Sequence, residues 1–152
     1  MTKTLIRHAT PADFEALLAI DVSSFPGGVA YDAAELAYFM NHEGAETILA
    51  EVDGTIVAFL IMEVHRTRRT ATVVTLDVCQ NERRNGYGSK LLKRSEEMLV
   101  DFGVEAYDLQ VDVTNHAAIT FYRKHGFNTV RTLKHYYANG NDAFLMVKEL
   151  MT

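Results

Sequence analysis

With 152 residues, 48% of them apolar and only two prolines, the chain has the composition of an ordered protein with one core, so we expect a single domain over residues 1–152. The formal net charge of −5 excludes a basic nucleic-acid surface and suits a cationic partner such as an amine or a basic peptide. One cysteine, Cys79, forms no internal disulfide, no apolar run approaches the roughly 18 residues of a membrane helix, and the first residues carry no signal-like segment, so a cytoplasmic location without membrane attachment is expected.

In chain order, Thr4 to His8 reads as a short strand. Thr10-Pro11-Ala12-Asp13 opens a helix, with Thr10 as cap, Pro11 in the first turn and Asp13 at the positive end. The apolar residues Phe14, Leu17, Leu18 and Ile20 to Val22 follow at helical spacing. Ser23 to Ala30 is expected as loop and Tyr31 to Met40 as a second helix with Asp32 at its start. Thr47 to Val52 and Thr55 to Val64 are strands joined by the hairpin signal Asp53-Gly54. After the basic turn Arg66 to Arg69 comes a long strand, Thr70 to Val78.

Gly88 to Phe102 has one apolar stripe (Leu91, Leu92, Met98, Leu99, Phe102) and Gly103 as its stop. Tyr107 to Val113 is a strand, and Asn115 caps a helix that ends at His125 before Gly126. Phe127 to Lys134 and Ala143 to Lys148 close the chain as an antiparallel pair around Asn139-Gly140-Asn141-Asp142. The whole reads as an α+β fold with a mostly antiparallel sheet and helices on its faces.

The segment between the third long strand and the helix after it, Arg83-Arg84-Asn85-Gly86-Tyr87-Gly88-Ser89, carries the most specific chemistry. Glycines let backbone N–H groups turn inward onto an anion. A helix start adds free N–H groups and the positive end of its dipole, and arginine adds a charge that does not titrate away. The segment therefore suits a pyrophosphate.

With this run stand Leu76-Asp77-Val78 before it and Asn115-x-x-Ala118-Ile119-x-x-Tyr122-x-x-x-Gly126-Phe127 after it. Together they resemble the GNAT superfamily of acetyl-CoA-dependent N-acetyltransferases, whose pyrophosphate loop is written Q/R-x-x-G-x-G/A. The tail His135 to Ala143 further resembles the branch of protein N-terminal and ribosomal-protein alanine N-acetyltransferases. The resemblance implies a sheet of six to seven strands, splayed in the middle by a bulge, with about four helices. It implies acetyl-CoA as co-substrate, its pyrophosphate on residues 83 to 89 and its pantetheine paired to the strand edge at Leu76, Asp77 and Val78, with Asn115 and Tyr122 beside it.

Tyr122 matches the family's general acid, the donor to the departing thiolate. Asn115 lies on the same helix face about 10 Å away; packing and capping are their alternative roles. The family's basic glutamate falls on Gln110, an amide that takes no proton at neutral pH. Asp77, Asp112 and Glu63 are the other carboxylates to consider, Asp77 lying on the cofactor strand. An α-amino group titrates near 8 and lysine near 10.4, a difference of about 3 kcal/mol in deprotonation cost. A site without a strong base therefore favours a terminal amine.

The resemblance gives Tyr136 and Tyr137 as one wall of the acceptor groove, with an aromatic core pair as their alternative role, and Phe25 to Tyr31 with Tyr38 as the opposite wall. Cys79 is weighed as an acyl carrier against simple packing. His65 to Arg69 reads as a solvated turn, and no histidine or cysteine spacing suggests a metal. The expected activity is acetyl transfer to a primary amine, at a protein or peptide N-terminus. A small-molecule amine acceptor and a non-catalytic acyl-CoA-binding module are the alternatives. Monomer and homodimer are both open.

Overall fold

Burial alternates along the fourth and fifth strands, Thr70–Val78 and Ala106–Asp112, and is continuous along the third, Thr55–His65. In the computed structural model, which describes residues 2–24 and 31–150, seven strands form one sheet: β1 (Thr4–His8), β2 (Ala45–Val52), β3 (Thr55–His65), β4 (Thr70–Val78), β5 (Ala106–Asp112), β6 (Asn128–Leu133) and β7 (Ala143–Glu149). Their order is β1-β2-β3-β4-β5-β7-β6. Every neighbouring pair is antiparallel except β4 and β5, which run parallel. Four helices cover the faces: α1 (Phe14–Ser24), α2 (Ala33–Asn41), α3 (Tyr87–Asp101) and α4 (His116–Lys124).

The central strand β3 is apolar on both sides, as a strand buried between two helical layers must be. Ala58, Leu60 and Met62 join the larger core, which includes Leu91, Leu92 and Leu99 of α3 and Ile119 and Tyr122 of α4. Phe59 and Ile61 join the smaller core with Leu17 and Ile20 of α1 and Leu36 of α2. The helices thus lie two on each face, and their number is the four that the resemblance implied.

Several boundaries move from expectation for local reasons. The first helix begins as a 3₁₀ turn over Pro11–Asp13. It reaches Ser24, whereas Ser23 and Ser24 were expected in loop: both hydroxyls donate to the Ile20 carbonyl, at 2.9 and 2.8 Å, which keeps the last turn helical. The second helix starts at Ala33, because Asp32 and Glu35 form a reciprocal capping box. The strand expected from Thr47 begins at Ala45. Asp53 and Gly54 both have positive φ, as a tight two-residue hairpin demands.

The bulge that was to splay the sheet and free the edge at Leu76 to Val78 is present just before that edge. Ile61 pairs with Thr75 while Met62 pairs with Val73, so Val74 is the extra residue. The β4–β5 ladder ends at Val73 and Leu109, and past that point the two strands diverge.

Candidate active site

The divergence of β4 and β5 opens a cleft of about 410 Å³. Its floor and sides come from Val74, Thr75 and Leu76 on β4, from Gln110 and Asp112 on β5, and from Asn115, Ala118 and Tyr122 at α4. The exposed edge of β4 has a defined polarity. The N–H of Cys79 donates to Val57 O at 2.8 Å, toward β3. Strand N–H groups alternate, so those of Leu76 and Val78 face the open side. The Val78 carbonyl also lies there, where it accepts from Arg83 Nε at 3.4 Å. An extended amide-bearing chain finds on this edge the donors and acceptors of an added strand.

At one end of the cleft stands the glycine loop. Gly86 is in the left-handed region, φ 82°, and caps α3; Arg84 shares that conformation at φ 73°. The first helical bond runs from Lys90 N–H to Gly86 O, so the N–H groups of Tyr87, Gly88 and Ser89 find no acceptor within the helix. Arg83, Arg84 and Asn85 are exposed around them, while the Tyr87 side chain is buried and serves the core. A Cβ on Gly88 would come within 3.1 Å of the Phe121 ring, so glycine here lets α3 and α4 close on one another. Ser89 Oγ lies 2.9 Å from His125 Nε2, tying the loop to the end of α4. The donors, the charge and the open backbone match the needs of a pyrophosphate.

Asn115 has two uses. Its side-chain oxygen accepts from Ala118 N–H at 3.2 Å, the capping bond, and its residue also lines the cleft. Tyr122 packs edge-on against Phe121 and Phe127 and lines the cleft. Burial first, and then the charge of Asp77, push its phenol well above the usual range, so it keeps its proton throughout the physiological range.

Across the cleft lies an aromatic wall. It is made by Tyr31 and by Tyr136 and Tyr137, whose rings meet edge to face at 5.0 Å. Tyr136 is 49% exposed, which places this pair at the groove and not in the core. Their hairpin is held from below by Asp112: Oδ2 accepts from Asn141 Nδ2 at 2.9 Å, and Oδ1 from Thr114 N–H and Oγ1. Despite partial burial, the hydrogen bonds from Asn141 and Thr114 hold the Asp112 carboxyl below the usual range. Asp112 thus tethers the hairpin from within the lining of the cleft. Gln110 lines the cleft at the base position.

The residue missed in the sequence is Asp21. It is 0% exposed, in the middle of the apolar face of α1, and lies beside Asp77, which is 1% exposed. Asp21 Oδ2 accepts from Tyr31 N–H at 2.9 Å, and Asp77 Oδ1 from Thr75 Oγ1 at 2.6 Å. Among the described residues the other oxygen of each has no partner. Burial, and after it the neighbouring Asp21, raise the Asp77 carboxyl well above the usual range. The signal was available: a charged residue where the helical period calls for an apolar one.

Other candidates fall away. Cys79 packs against the smaller core, with its thiol raised by burial, and does not line the cleft. Tyr38 is 58% exposed, stacks on Phe39 and His42, and also does not line it. Glu63 sits on β3 opposite Ala45 and Thr72, before the divergence. Arg66 lies over the Phe102 ring, and the basic turn is solvent-exposed. Phe25 lies outside the described residues.

The cleft thus brings together a split parallel pair and a buried phenol, with an amide-rich loop at a helix start near one end. Residues 14–127 match the acetyltransferase (GNAT) family, and the chain belongs to it. It is therefore an acyltransferase of the N-acetyltransferase type. It is 31% identical to an N-alpha-acetyltransferase of Sulfolobus acidocaldarius over 95% of this chain and 92% of that protein. The structure of Ard1 from Thermoplasma volcanium superposes with a TM-score of 0.89 at 25% identity, covering 98% of this chain and 99% of that one. That of the ribosomal-protein-S18-alanine N-acetyltransferase from Escherichia coli gives 0.88 at 25% identity, covering 99% and 96%.

Proposed function

We propose that the protein transfers the acetyl group of acetyl-CoA to the α-amino group of a protein or peptide N-terminus. The observation that carries this reading is the two-sided opening between β4 and β5: amide-rich backbone and the glycine loop on one side, the Tyr31–Tyr136–Tyr137 wall on the other. A thioester threaded along β4 supplies an activated carbonyl. The N–H groups of Tyr87, Gly88 and Ser89, with Arg83 and Arg84, hold the diphosphate. The Leu76 and Val78 edge orients the pantetheine, assisted by the amide of Asn115. Val78 N–H stabilises the developing oxyanion, and the Tyr122 phenol protonates the sulfur that departs. The tyrosine wall admits an extended chain with its amine foremost. The relatives named N-alpha-acetyltransferase support that acceptor class.

The test is a panel of labelled-acetyl assays on peptides with free and blocked N-termini, free lysine and polyamines. Turnover on free N-termini and none on blocked peptides that carry lysine is the expected result. Preferential turnover of polyamines moves the acceptor to the small-molecule class, and no turnover with retained coenzyme A affinity leaves a binding module.

A further inference from the structure

Of the two buried carboxyls beneath the cleft, Asp77 feels the positive charge of Arg83 through space, but neither is in contact with a cation among the described residues. No lysine, arginine or histidine among the described residues forms an ion pair with either, and residues 25–30, Phe-Pro-Gly-Gly-Val-Ala, contain no ionisable side chain. Two adjacent carboxylates in such a place cannot both stay ionised cheaply. The oxygens left without partners, Asp21 Oδ1 and Asp77 Oδ2, are the ones free to share a proton.

This pair also connects to the cleft through residues that line it. Thr75 donates to Asp77 and Tyr31 donates to Asp21, and both Thr75 and Tyr31 are cleft residues. The titratable groups around the pair come from four sides: Tyr31 before α2, Tyr122 from α4, Arg83 from the loop beyond β4, and Tyr136 behind Tyr31. β3 contributes Phe59 opposite Asp77 and no charge.

We propose that the Asp21–Asp77 pair, acting through the Thr75 hydroxyl, takes up the proton that an acceptor ammonium sheds before attack, replacing the absent carboxylate at Gln110. The inference rests on the reading that the cleft admits an amine. The pair rests with one proton held between Asp21 and Asp77 and a single negative charge; the ammonium gives one N–H proton to Thr75 Oγ1 as the Thr75 proton passes to Asp77, which leaves both carboxyls protonated. The freed nitrogen lone pair forms the N–C bond, the C–S bond breaks, and its electron pair stays on sulfur. Sulfur takes the Tyr122 proton, the second proton of the nitrogen restores the phenol, and the pair returns the extra proton to solvent. The overall exchange is ammonium plus thioester giving amide, thiol and one released proton. Asp21 and Asp77 are positioning residues in this scheme, since Thr75 lines the cleft and neither aspartate does.

The experiment is the pH profile of kcat/KM for the wild type, Asp77→Asn, Asp21→Asn and Thr75→Val, on an ordinary N-terminal peptide and on one beginning with trifluoroalanine, whose amine is already uncharged at neutral pH. On the ordinary peptide the variants should lose about 10²-fold near pH 6.5 and recover to within about threefold near pH 9.5, where the amine needs no base. On the trifluoroalanine peptide they should match the wild type throughout. Equal losses at every pH on both peptides mean a structural defect and overturn the proposal, as do unchanged profiles. Thr75→Val, which removes only a hydroxyl, keeps the test valid if an aspartate variant fails to fold. A wild type inactive on every amine would overturn the functional reading and this proposal together, whereas an active wild type with unaffected variants overturns this proposal alone.

Discussion

At the scale of single residues, Tyr122 and Asp13 show how the surroundings of a side chain decide its role. Tyr122 is held protonated by its surroundings, and removing its hydroxyl should cost turnover and leave the diphosphate grip intact. Tyr122→Phe is expected to lower kcat by about 10²-fold or more, with the coenzyme A Kd from calorimetry changed by less than about threefold. Asp13 illustrates the opposite electrostatic case. The bidentate Arg7 guanidinium, at 2.9 and 3.0 Å, and then the Thr10 N–H, hold its carboxyl down at about 2. A lowered pKa stabilises the fold above the unfolded value near 3.8, and that stability is lost as pH falls through about 2. Asp13→Asn should therefore cost about 2 kcal/mol at neutral pH by denaturant titration, and the gap should close on acidification.

At the scale of elements, the hairpin carrying Tyr136 and Tyr137 is set over the cleft by Asp112 and by Asp142, which accepts from His135 N–H at 2.9 Å. Asp112→Ala frees the Asn141 amide and releases the wall. It is expected to raise the KM for peptide about tenfold with kcat and coenzyme A affinity nearly unchanged, as loss of an interaction made equally in ground and transition states requires. The α3–α4 approach at Gly88 is similarly specific. Gly88→Ala must displace the Phe121 ring, and a coenzyme A affinity lowered more than about fivefold by calorimetry, at nearly wild-type secondary structure, is the expected result.

Much of this was legible in the sequence. The period of α3, the Asp53-Gly54 turn, the Asn115 cap and the spacing of Gly86 and Gly88 are local signals, and each lands within a residue or two of its expected place. What escaped was non-local. The bulge falls on Val74 because β3 and β4 must match registers on both sides of it, a constraint written in two strands at once. Asp21 and Asp77 lie far apart in the chain and meet only when α1 packs on β4, so neither residue alone announces the pair.

At the scale of the molecule, the sheet has two halves, β1 to β4 and β5 to β7, joined by a ladder of only four residue pairs. A polar junction reinforces it: Tyr107 on β5 and Lys148 on β7 both donate to Glu96 on α3, the lysine at 2.9 Å to each oxygen. Glu96→Ala leaves both donors short of a partner and should lower stability by about 2 kcal/mol. The chain would then keep its fold and lose rigidity where the halves meet.

The claim on which all three scales converge is that the gap between those halves receives the thioester. Amide hydrogen exchange with and without coenzyme A reads it directly. Slowed exchange at Leu76, Val78 and Tyr87 to Ser89, with β1 and β6 unchanged, is the predicted result. Unchanged exchange at those amides, or protection confined to the outer face of α3, would contradict it.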